Sequence, residues 1–317
     1  MLSNAESNKE VSLRGLLSLN KRNIDYISRY NPADLFNLVD NKLNTKKIAK
    51  KNNIPVPELI GVVSEEHQII KIPKMVHPYR GFVIKPAQGS GGKGIIVINK
   101  IKDGRYFKTS GEEIQVEALF NHVFQIISGE FTLGGQTDVA VIEQIIEFNP
   151  IFDGYSYEGI PDIRLIVFKG FPVMAMLRLS TKESDGKSNL HQGAIGVGLD
   201  LRSGKSIHAV QYKNSIEYHP NTGKYLNNIQ VPYWNQLMFF AASCYDISGL
   251  GYLGIDLALD INRGPLLLEL NARPGLSIQI ANGVGILPRL KQIESLGMEH
   301  MPLTKRIEYV KKAFTHL

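Results

Sequence analysis

The segment spanning residues 251–275 constrains the fold of this chain more than any other part of the sequence. Two apolar runs flank the turn residues Asn-Arg-Gly at 262–264, a pattern that predicts a β-hairpin. Asp256 lies in the first run, and Glu269 and Asn271 lie in the second. Side chains two apart on a strand share a face, and this turn brings Asp256 roughly opposite Glu269. The sequence therefore predicts three oxygen-bearing side chains on one face of a hairpin.

Acidic residues inside such apolar strands need a partner, because an unpaired buried carboxylate is costly. Carboxylate and amide oxygens suit Mg²⁺, which proteins hold through one or two carboxylates together with substrate phosphates. Arg273 is two residues beyond Asn271 and could bind a phosphate or an acyl phosphate. The alternative is the polar outer face of an antiparallel sheet.

A second motif is the glycine-rich stretch KPAQGSGGKGI at residues 85–95. Its glycines free the backbone to approach a ligand, and successive N–H groups can cradle phosphates. Lys93 adds charge, and Lys85 ends the preceding strand, where it could reach the phosphates. The stretch does not match G-x-x-x-x-G-K-[ST] and leads into a strand, so it is neither a P-loop nor a dinucleotide fingerprint. The alternative is a flexible hairpin tip. The glycines are Gly89, Gly91, Gly92 and Gly94.

Weaker signals lie in two further stretches. In VIEQIIEF, a strand followed by an extended connector could offer its backbone to an adenine edge, with Glu143 and Glu147 as candidate contacts. It is equally consistent with the sequence that both are solvent-exposed acidic residues that contact no ligand. Arg164, within a strand, is a candidate ligand for a substrate or phosphate. Asn189 and His191 lie in a polar loop where a surface role is the alternative.

Composition sets broad limits. The chain has 317 residues, 43% hydrophobic and 21% charged, which indicates an ordinary globular protein of two domains or two lobes. No apolar run is long enough for a membrane span. The formal charge of +6 is modest and favours anionic ligands. The densest basic stretch, 46–53, is predicted to be a solvated helix face, so no nucleic-acid partner is expected. The single cysteine, Cys244, excludes an intramolecular disulfide and is expected to be a buried thiol.

The N-terminus makes a poor signal peptide, which predicts a cytoplasmic protein. Local patterns then predict an α+β chain rich in antiparallel hairpins. Expected helices include one capped by Asp40 and ending at 52–53, one over 112–128, one ending at Gly249, and others within 277–283 and 288–317. A hairpin is expected to turn at Lys169–Gly170, with a loop over 182–201.

Taken in order, these segments resemble the ATP-grasp superfamily. The order runs DNKLNTKKIAKKNNIPVPE, VIKPAQGSGGKGI, VIEQII, DIRLIVF, SNLHQGA, GIDLALD and LLLELNARPG, over about residues 35–285. The chain looks most like RimK-type α-L-glutamate ligases and the sugar-transfer-associated ATP-grasp proteins. The resemblance implies an ATP-grasp fold of two α+β lobes with mainly antiparallel sheets that clamp ATP. The implied domains are an N-terminal extension with short helices (1–40), an N-lobe (41–145), a C-lobe with the metal site (146–290) and a C-terminal helix (291–317).

The resemblance also implies roles for individual residues. Lys42 and Lys85 would hold phosphates, and the glycine loop with Lys93 would close over the triphosphate. Arg164 and Arg273 would act in catalysis, with Arg273 steadying acyl-phosphate oxygens. The adenine hinge would consist of Glu143, Gln144, Ile145 and Ile146. Further nucleotide contacts would come from Asp162 and Asn189, and one or two Mg²⁺ or Mn²⁺ ions would be held by Asp256, Glu269 and Asn271.

The implied activity is an ATP-dependent ligase that forms a C–N bond, joining a carboxylate to an amine, a thiol or another nucleophile through an acyl phosphate. Its substrates would be small molecules or peptides. A kinase or phosphotransferase on the same fold and a non-catalytic nucleotide-binding regulator are the alternatives. Ligases of this type usually carry a full α/β domain before the lysine-bearing helix, whereas 41 residues precede Lys42 here. The carboxylate, the nucleophile and the oligomeric state stay open, a homo-oligomer being one option.

Overall fold

The computed structural model describes residues 15–89, 91–132, 134–297 and 301–314. The described chain divides into two compact units. The larger unit takes in the described parts of Met1–Phe36, Ile151–Ala258 and Leu270–Leu317, and the smaller unit consists of Asn37–Pro150 and Leu259–Glu269. The N-terminal extension proposed for 1–40 lies outside the described residues up to position 14. No described helix is both long enough and apolar enough to cross a membrane.

The smaller unit contains a four-stranded antiparallel sheet and a three-stranded one. The order in the first is β1-β7-β2-β3, and in the second β4-β5-β6. The strands are β1 Leu59–Val63, β2 Phe82–Pro86, β3 Ile96–Ile98, β4 Lys100–Lys102, β5 Arg105–Phe107, β6 Glu113–Ile114 and β7 Ala140–Gln144. The helices of the unit are α3 Phe36–Asp40, α4 Lys42–Lys51, α5 Ile72–Val76 and α6 Val116–Ile127.

The core of the smaller unit forms where helix α6 covers the four-stranded sheet. Leu119, Val123 and Ile126 recur three and four residues apart on α6 and are fully buried, which is the pattern of an amphipathic helix. They belong to one apolar cluster with Ile84 of β2 and Ile142 of β7. This core supports β2 and β7, the two strands that carry Lys85 and Glu143.

The larger unit is built on a seven-stranded sheet of order β12-β11-β10-β9-β8-β13-β14. The strands of this sheet are β8 Asp162–Phe168, β9 Phe171–Leu179, β10 Ile195–Leu199, β11 Ser206–Gln211, β12 Asn214–Ser215, β13 Tyr252–Asp260 and β14 Gly264–Asn271. The end of β13, the turn and most of β14 (Leu259–Glu269) belong to the smaller unit. The predicted hairpin turn is confirmed, since Lys169 and Gly170 both have positive φ, at 49° and 80°. The hairpin predicted over 251–275 is confirmed as β13 and β14.

Helices and short N-terminal turns complete the larger unit. The helix predicted to end at Gly249 does so, because Gly249 takes the left-handed C-cap conformation. Cys244 is buried in this helix, as expected. The helices are α1 Leu19–Lys21, α2 Ser28–Tyr30, α7 Trp234–Ser248, α8 Ile278–Asn282, α9 Leu287–Ser295 and α10 Leu303–Ala313, with a π-helical stretch Arg22–Ile27 between α1 and α2.

Three local predictions need correction. Asn41, not Asp40, caps α4, because its side-chain oxygen accepts from the N–H groups of Leu43 and Asn44. The helix predicted over 112–128 begins only at Val116, because Glu113–Ile114 pair with β5.

The third correction concerns the loop predicted over 182–201, which contains the interior strand β10. Its glycines weaken the strand signal, yet they are required by close packing. A Cβ on Gly198 would lie 2.5 Å from the Ala281 carbonyl oxygen, and one on Gly196 would lie 2.6 Å from the Leu190 side chain. Helix α8 therefore packs directly on the strand backbone.

Candidate functional site

The glycine-rich loop of the smaller unit is anchored at its first end by a buried lysine. Lys42, at the start of α4, donates from Nζ to the Gly89 carbonyl at 2.6 Å and is 9% exposed. Burial lowers the pKa of Lys42, and the carboxylate of Glu269 works against that effect. Asp138 fixes the residue before Gly89 by accepting from the Gln88 N–H at 3.0 Å. The structure thus brings Lys42 to the loop that the sequence assigned to phosphate binding.

The second end of the loop is held by helix α6. His122 Nε2 lies 2.9 Å from the Gly94 carbonyl oxygen, within hydrogen-bond distance. Gly94 has φ +73°, and a Cβ there would lie 2.7 Å from the Phe131 ring. Gly91 and Gly92 also have positive φ, but a Cβ on either would have no atom within 4 Å. The loop therefore combines fixed ends with an exposed centre in which Lys93 is also exposed.

Lys85 lies at the end of β2 and is paired with the buried carboxylate of Glu143. The Lys85 Nζ to Glu143 Oε2 distance is 2.7 Å. Lys46 Nζ lies 2.9 Å from Oε1, outside hydrogen-bond geometry, and donates instead to the Pro57 carbonyl at 2.6 Å. Burial works to raise the pKa of Glu143, but Lys85 and Lys46 together hold it below its ordinary value. The Glu143 side chain therefore orients lysines and does not face outward.

The basic helix face predicted to be solvent-exposed over 46–53 has one exception, Lys46, which is buried. It is 5% exposed, and burial lowers its pKa to about 8, against the pull of Glu143. Lys47, Lys50 and Lys51 of the same helix are exposed, as predicted. Helix α4 thus directs two of its lysines inward and the others to solvent.

The predicted hinge residues follow directly on Glu143. Gln144 ends β7, and Ile145 and Ile146 continue beyond it, all three half-buried. Arg263, in the turn before β14, binds the Gln144 side chain and the Ile145 carbonyl. The hinge segment is therefore held by side-chain contacts as well as by the sheet.

Four charged side chains form a second cluster on one face of the larger unit's sheet. Arg164 on β8 lies opposite Asp256 on β13, and Asp162 on β8 lies opposite Arg178 on β9. Arg164 binds Asp256 with two parallel hydrogen bonds, Nε to Oδ1 at 2.7 Å and Nη2 to Oδ2 at 2.5 Å. Arg178 donates to Asp162 Oδ1 at 2.5 Å and to Asp256 Oδ2 at 2.9 Å. Cross-strand register thus assembles a chain of alternating charges, Arg164, Asp256, Arg178 and Asp162.

Burial makes this network electrostatically strong. Asp162, Arg178 and Asp256 are 5%, 7% and 5% exposed. Burial works to raise the pKa of Asp256, but Arg164 and Arg178 hold it below its ordinary value. For Asp162 burial is the larger effect and raises the pKa, the Asp256 charge adding to it against the pull of Arg178. The two carboxylates therefore differ in their ease of ionisation although they share one arginine.

The remaining members of the predicted metal set lie on β14. Glu269 and Asn271 are two residues apart and half-buried. β14 is the hydrogen-bonded neighbour of β13, the strand of Asp256. Among the residues that the structure describes, no group of three or more His, Cys, Asp or Glu side chains could hold a metal ion. The predicted set does not have that composition, because it consists of two carboxylates and one carboxamide.

The donor chemistry of the predicted set fits Mg²⁺. Asp256 accepts three hydrogen bonds, and a carboxylate has about four lone-pair sites, so one is left for a cation. The Asn271 carboxamide would contribute its Oδ1, while its Nδ2, a donor that cannot bind a cation, is buried and has no hydrogen-bond partner among the described residues. Hard oxygen donors of this kind are those that Mg²⁺ takes.

Arg273 and the loop residues are placed differently. Arg273 is exposed and stacks its guanidinium over the Phe36 ring, 4.3 Å from the centroid. Asn189 directly precedes a short 3₁₀ turn, Leu190–Gln192, and its Nδ2 donates to Gln192 Oε1 at 3.2 Å. His191 in that turn is exposed. None of these contacts ties the three residues to the charged network.

The sequence interpretation overlooked Arg178, Lys46 and His122. For Arg178 a signal existed, because the predicted turn at Lys169–Gly170 sets Asp162 near Arg178 in the hairpin register, and an arginine inside an apolar strand needs an acidic partner. Lys46 is indistinguishable from its surface neighbours in a basic run. His122 contacts the loop from a helix that is remote in sequence, so no local pattern indicates it.

Comparison with known proteins places this geometry in a family. The model of the family described as sugar-transfer associated ATP-grasp matches residues 21–295. "Probable alpha-L-glutamate ligase 1" of Shewanella sp. (strain W3-18-1) is 25% identical over 259 residues, which cover 80% of this chain and 63% of that protein. The protein of the same name from Shewanella baltica (strain OS155 / ATCC BAA-1091) is 26% identical over the same shares. The chain thus spans 63% of the length of these relatives.

Solved structures of ATP-grasp proteins are also similar. The ATP-grasp ligase PsnB complexed with minimal precursor gives a TM-score of 0.47 at 11% identity, covering 85% of this chain and 63% of that one. The family match spans both units and includes the glycine loop, the hinge residues and β14. The chain therefore belongs to the sugar-transfer-associated ATP-grasp family, and its α+β architecture is an ATP-grasp fold.

Proposed function

We propose that this chain is an ATP-dependent ligase that joins a carboxylate to an amine, or to another nucleophile, through an acyl phosphate. The observation that carries the proposal is the placement of two buried lysines, Lys42 and Lys85, at the base of the glycine loop. Buried ammonium groups beside glycines with positive φ suit a polyphosphate, because the backbone can approach it closely and its charge offsets theirs. Membership of the sugar-transfer-associated ATP-grasp family supports ATP as this polyphosphate.

In this proposal the smaller unit binds the nucleotide. Lys42 and Lys85 hold phosphate oxygens, and Gly91, Gly92 and Lys93 cover them from the exposed centre of the loop. Glu143 holds the Lys85 side chain in position through their 2.7 Å ion pair. Residues 144–146 receive the adenine edge. Phosphoryl transfer asks little covalent chemistry of the protein, so positioning and charge neutralisation supply most of the catalysis.

In the larger unit, the charged network offers two guanidinium groups to an anionic substrate. Arg164 and Arg178 neutralise negative charge, and Asp162 and Asp256 fix the orientation of their guanidinium groups. Asp256, Glu269 and Asn271 are the residues that would hold Mg²⁺. A bound Mg²⁺ supplies further neutralisation of the phosphate charge. Arg273, exposed above Phe36, is proposed as a contact for acyl-phosphate oxygens, and Asn189 as a contact for nucleotide or substrate.

The proposed ligation takes place in two steps. A carboxylate oxygen attacks the γ-phosphorus, a P–O bond to ADP breaks, and an acyl phosphate forms. The nitrogen of the amine then attacks the acyl carbon, the C–O bond to phosphate breaks, and the amine proton passes to phosphate or solvent. Two relatives bear the name "Probable alpha-L-glutamate ligase", which supports an amino acid or peptide as one substrate. The cytoplasm, which provides ATP and Mg²⁺, is the proposed compartment.

The test is ADP release by the full chain with Mg-ATP and paired substrates. The panel combines amino acids, peptides and sugar acids with amines, and mass spectrometry identifies each product. With the active pair, ¹⁸O in the substrate carboxylate should appear in the released phosphate, because the acyl phosphate transfers that oxygen. Lys85→Met should abolish turnover, whereas Lys50→Met, an exposed lysine of α4, should leave it unchanged.

Other outcomes would replace the proposal. A phosphorylated product without ¹⁸O transfer would identify a phosphotransferase. ATP binding without turnover across the panel would favour a nucleotide-binding regulator. Failure to bind Mg-ATP by isothermal titration would contradict every ATP-dependent activity on this chain.

A further inference from the structure

The tip of the hairpin formed by β13 and β14 is tied to the hinge segment 144–149 by a buried carboxylate. Asp260 is 2% exposed, and Oδ1 accepts from the N–H groups of Asn262 and Arg263 at 2.9 and 2.8 Å. Oδ2 accepts from Arg263 Nη2 at 2.7 Å and from the Glu147 N–H at 3.1 Å. One carboxylate therefore fixes the turn, the arginine and the hinge segment together.

Backbone contacts join the same two segments. The Ile261 N–H donates to the Glu147 carbonyl at 2.7 Å, and the Asn149 N–H donates to the Leu259 carbonyl at 3.1 Å. All of these residues belong to the smaller unit. Residues 147–149, the C-terminal end of the hinge segment, are thus held by backbone hydrogen bonds that do not involve Arg263.

Arg263 reaches from this tip to the middle of the hinge. Its Nη2 donates to the Ile145 carbonyl at 3.1 Å, and its Nη1 donates to Gln144 Oε1 at 3.2 Å. The side chain is about one quarter exposed, and Asp260 holds its planar fork in place. Arginine suits this task because five donors in a fixed plane can serve several acceptors at once.

A carbonyl held in this way also orients the next N–H group. The peptide bond is planar and trans, so the Ile146 N–H points opposite to the Ile145 carbonyl. That N–H makes no hydrogen bond with any residue in the described part of the chain. Arg263 therefore holds in place a backbone donor that is available to a ligand.

We infer that Asp260 and Arg263 form a positioning pair for recognition of the nucleotide base. The inference rests on the proposed function, in which residues 144–146 receive adenine. Arg263 sets the direction of the Ile146 N–H, and Asp260 keeps Arg263 in that orientation. The pair acts on the base alone, because Lys42, Lys85 and the glycine loop serve the phosphates. Its loss should weaken binding of nucleotides and spare binding of a polyphosphate that has no base.

The test compares two probes on the full chain in the presence of Mg²⁺. ADP reports base and phosphates together, and inorganic tripolyphosphate reports phosphates alone. In Arg263→Met the Kd for ADP should rise about 10-fold, because the charge-assisted bond from Arg263 to the Ile145 carbonyl no longer holds the Ile146 N–H in place, while the Kd for tripolyphosphate stays within twofold. Arg263→Lys should recover part of the ADP affinity. Arg105→Met, at a surface arginine of the same unit, is the control.

Kinetics give a second readout. The KM for ATP should rise in Arg263→Met while kcat at saturating ATP is retained, and the preference for ATP over GTP should narrow. Asp260→Asn should also raise the KM for ATP and retain kcat, with a smaller rise in KM than Arg263→Met. If Arg263→Met does not fold, as judged by thermal unfolding, Arg263→Gln, which keeps a donor in the side chain, replaces it.

Each contrary outcome has a defined meaning. An unchanged ADP affinity in Arg263→Met, or an equal loss for ADP and tripolyphosphate, would overturn the positioning role and leave the proposed function intact. Wild-type protein that binds neither probe would overturn both.

Discussion

Arg178 donates from Nη2 to Asp256 Oδ2 at 2.9 Å although their strands, β9 and β13, are separated by β8. Its Nε binds Asp162 at the same time. Both acids are buried, so their charges need partners: Arg178 pairs with Asp162 and shares Asp256 with Arg164. Arg178 thereby links the stability of the larger unit to the orientation of a proposed metal ligand.

Replacing Arg178 by Met should destabilise the protein by about 3–5 kcal/mol, because breaking a buried ion pair leaves uncompensated charge. The free energy of unfolding is measured in urea. The double variant Arg178→Met with Asp162→Asn should recover part of the loss, since Asp162, the carboxylate that Arg178 binds and Arg164 does not, is then neutral. A loss below 1 kcal/mol for the single variant would contradict this account of the network.

Replacing Glu269 by Gln should reduce Mg²⁺-dependent turnover of ATP by about 100-fold or more, since even groups that only support a metal ligand are worth about 10–100-fold. The substitution keeps the shape of the side chain and removes its charge. Mn²⁺ binding, followed by electron paramagnetic resonance, should weaken in parallel. Glu66→Gln, at an exposed acid of the smaller unit, should change neither quantity. Retention of Mn²⁺ affinity in Glu269→Gln would remove Glu269 from the metal set.

Regular local patterns account for the elements that could be predicted from the sequence. The hairpin of β8 and β9, the hairpin of β13 and β14, and the helix ending at Gly249 follow from apolar runs bounded by turn residues. Strand β10 could not be predicted, because Gly196 and Gly198 are selected by the close approach of α8, a contact that exists only in the folded chain. The contact between His122 and Gly94 could not be predicted either, because only tertiary packing brings the two residues together.

The candidate site shows a similar division. Motifs in the sequence indicated the lysines, the glycine loop and the acids, because their spacing is local. The partners that orient them are non-local. Nothing in the run 46–53 distinguishes buried Lys46 from exposed Lys47, since the difference arises where α4 packs near Glu143. Likewise, Arg263 looks like an ordinary turn residue until the turn lies against Ile145.

Stability should rise with pH between 7 and 9 because of Lys46. Its pKa is about 8 in the folded chain and has its ordinary, higher value when unfolded, so the unfolded chain binds more protons in this window. The free energy of unfolding should therefore increase by about 1 kcal/mol more in the wild type than in Lys46→Met.

Urea titrations at pH 7 and pH 9 measure that difference. Lys50→Met, at an exposed position of the same helix, should retain the wild-type pH response. Equal pH responses in Lys46→Met and the wild type would show that Lys46 keeps its proton throughout this range.

The ends and the centre of the glycine loop should respond differently to a single methyl group. Gly91→Ala should cost about 1 kcal/mol, because an L-residue at φ +66° is strained but meets no neighbouring atom. Gly94→Ala carries the same strain at φ +73° and adds a clash 2.7 Å from Phe131, which should cost about 1–3 kcal/mol more. Urea unfolding measures both losses. Gly91→Ala, the less destabilised of the two variants, should nevertheless raise the KM for ATP, since the centre of the loop is proposed to approach the phosphates. Equal unfolding losses in the two variants would mean that Phe131 yields to the methyl group and does not fix the end of the loop.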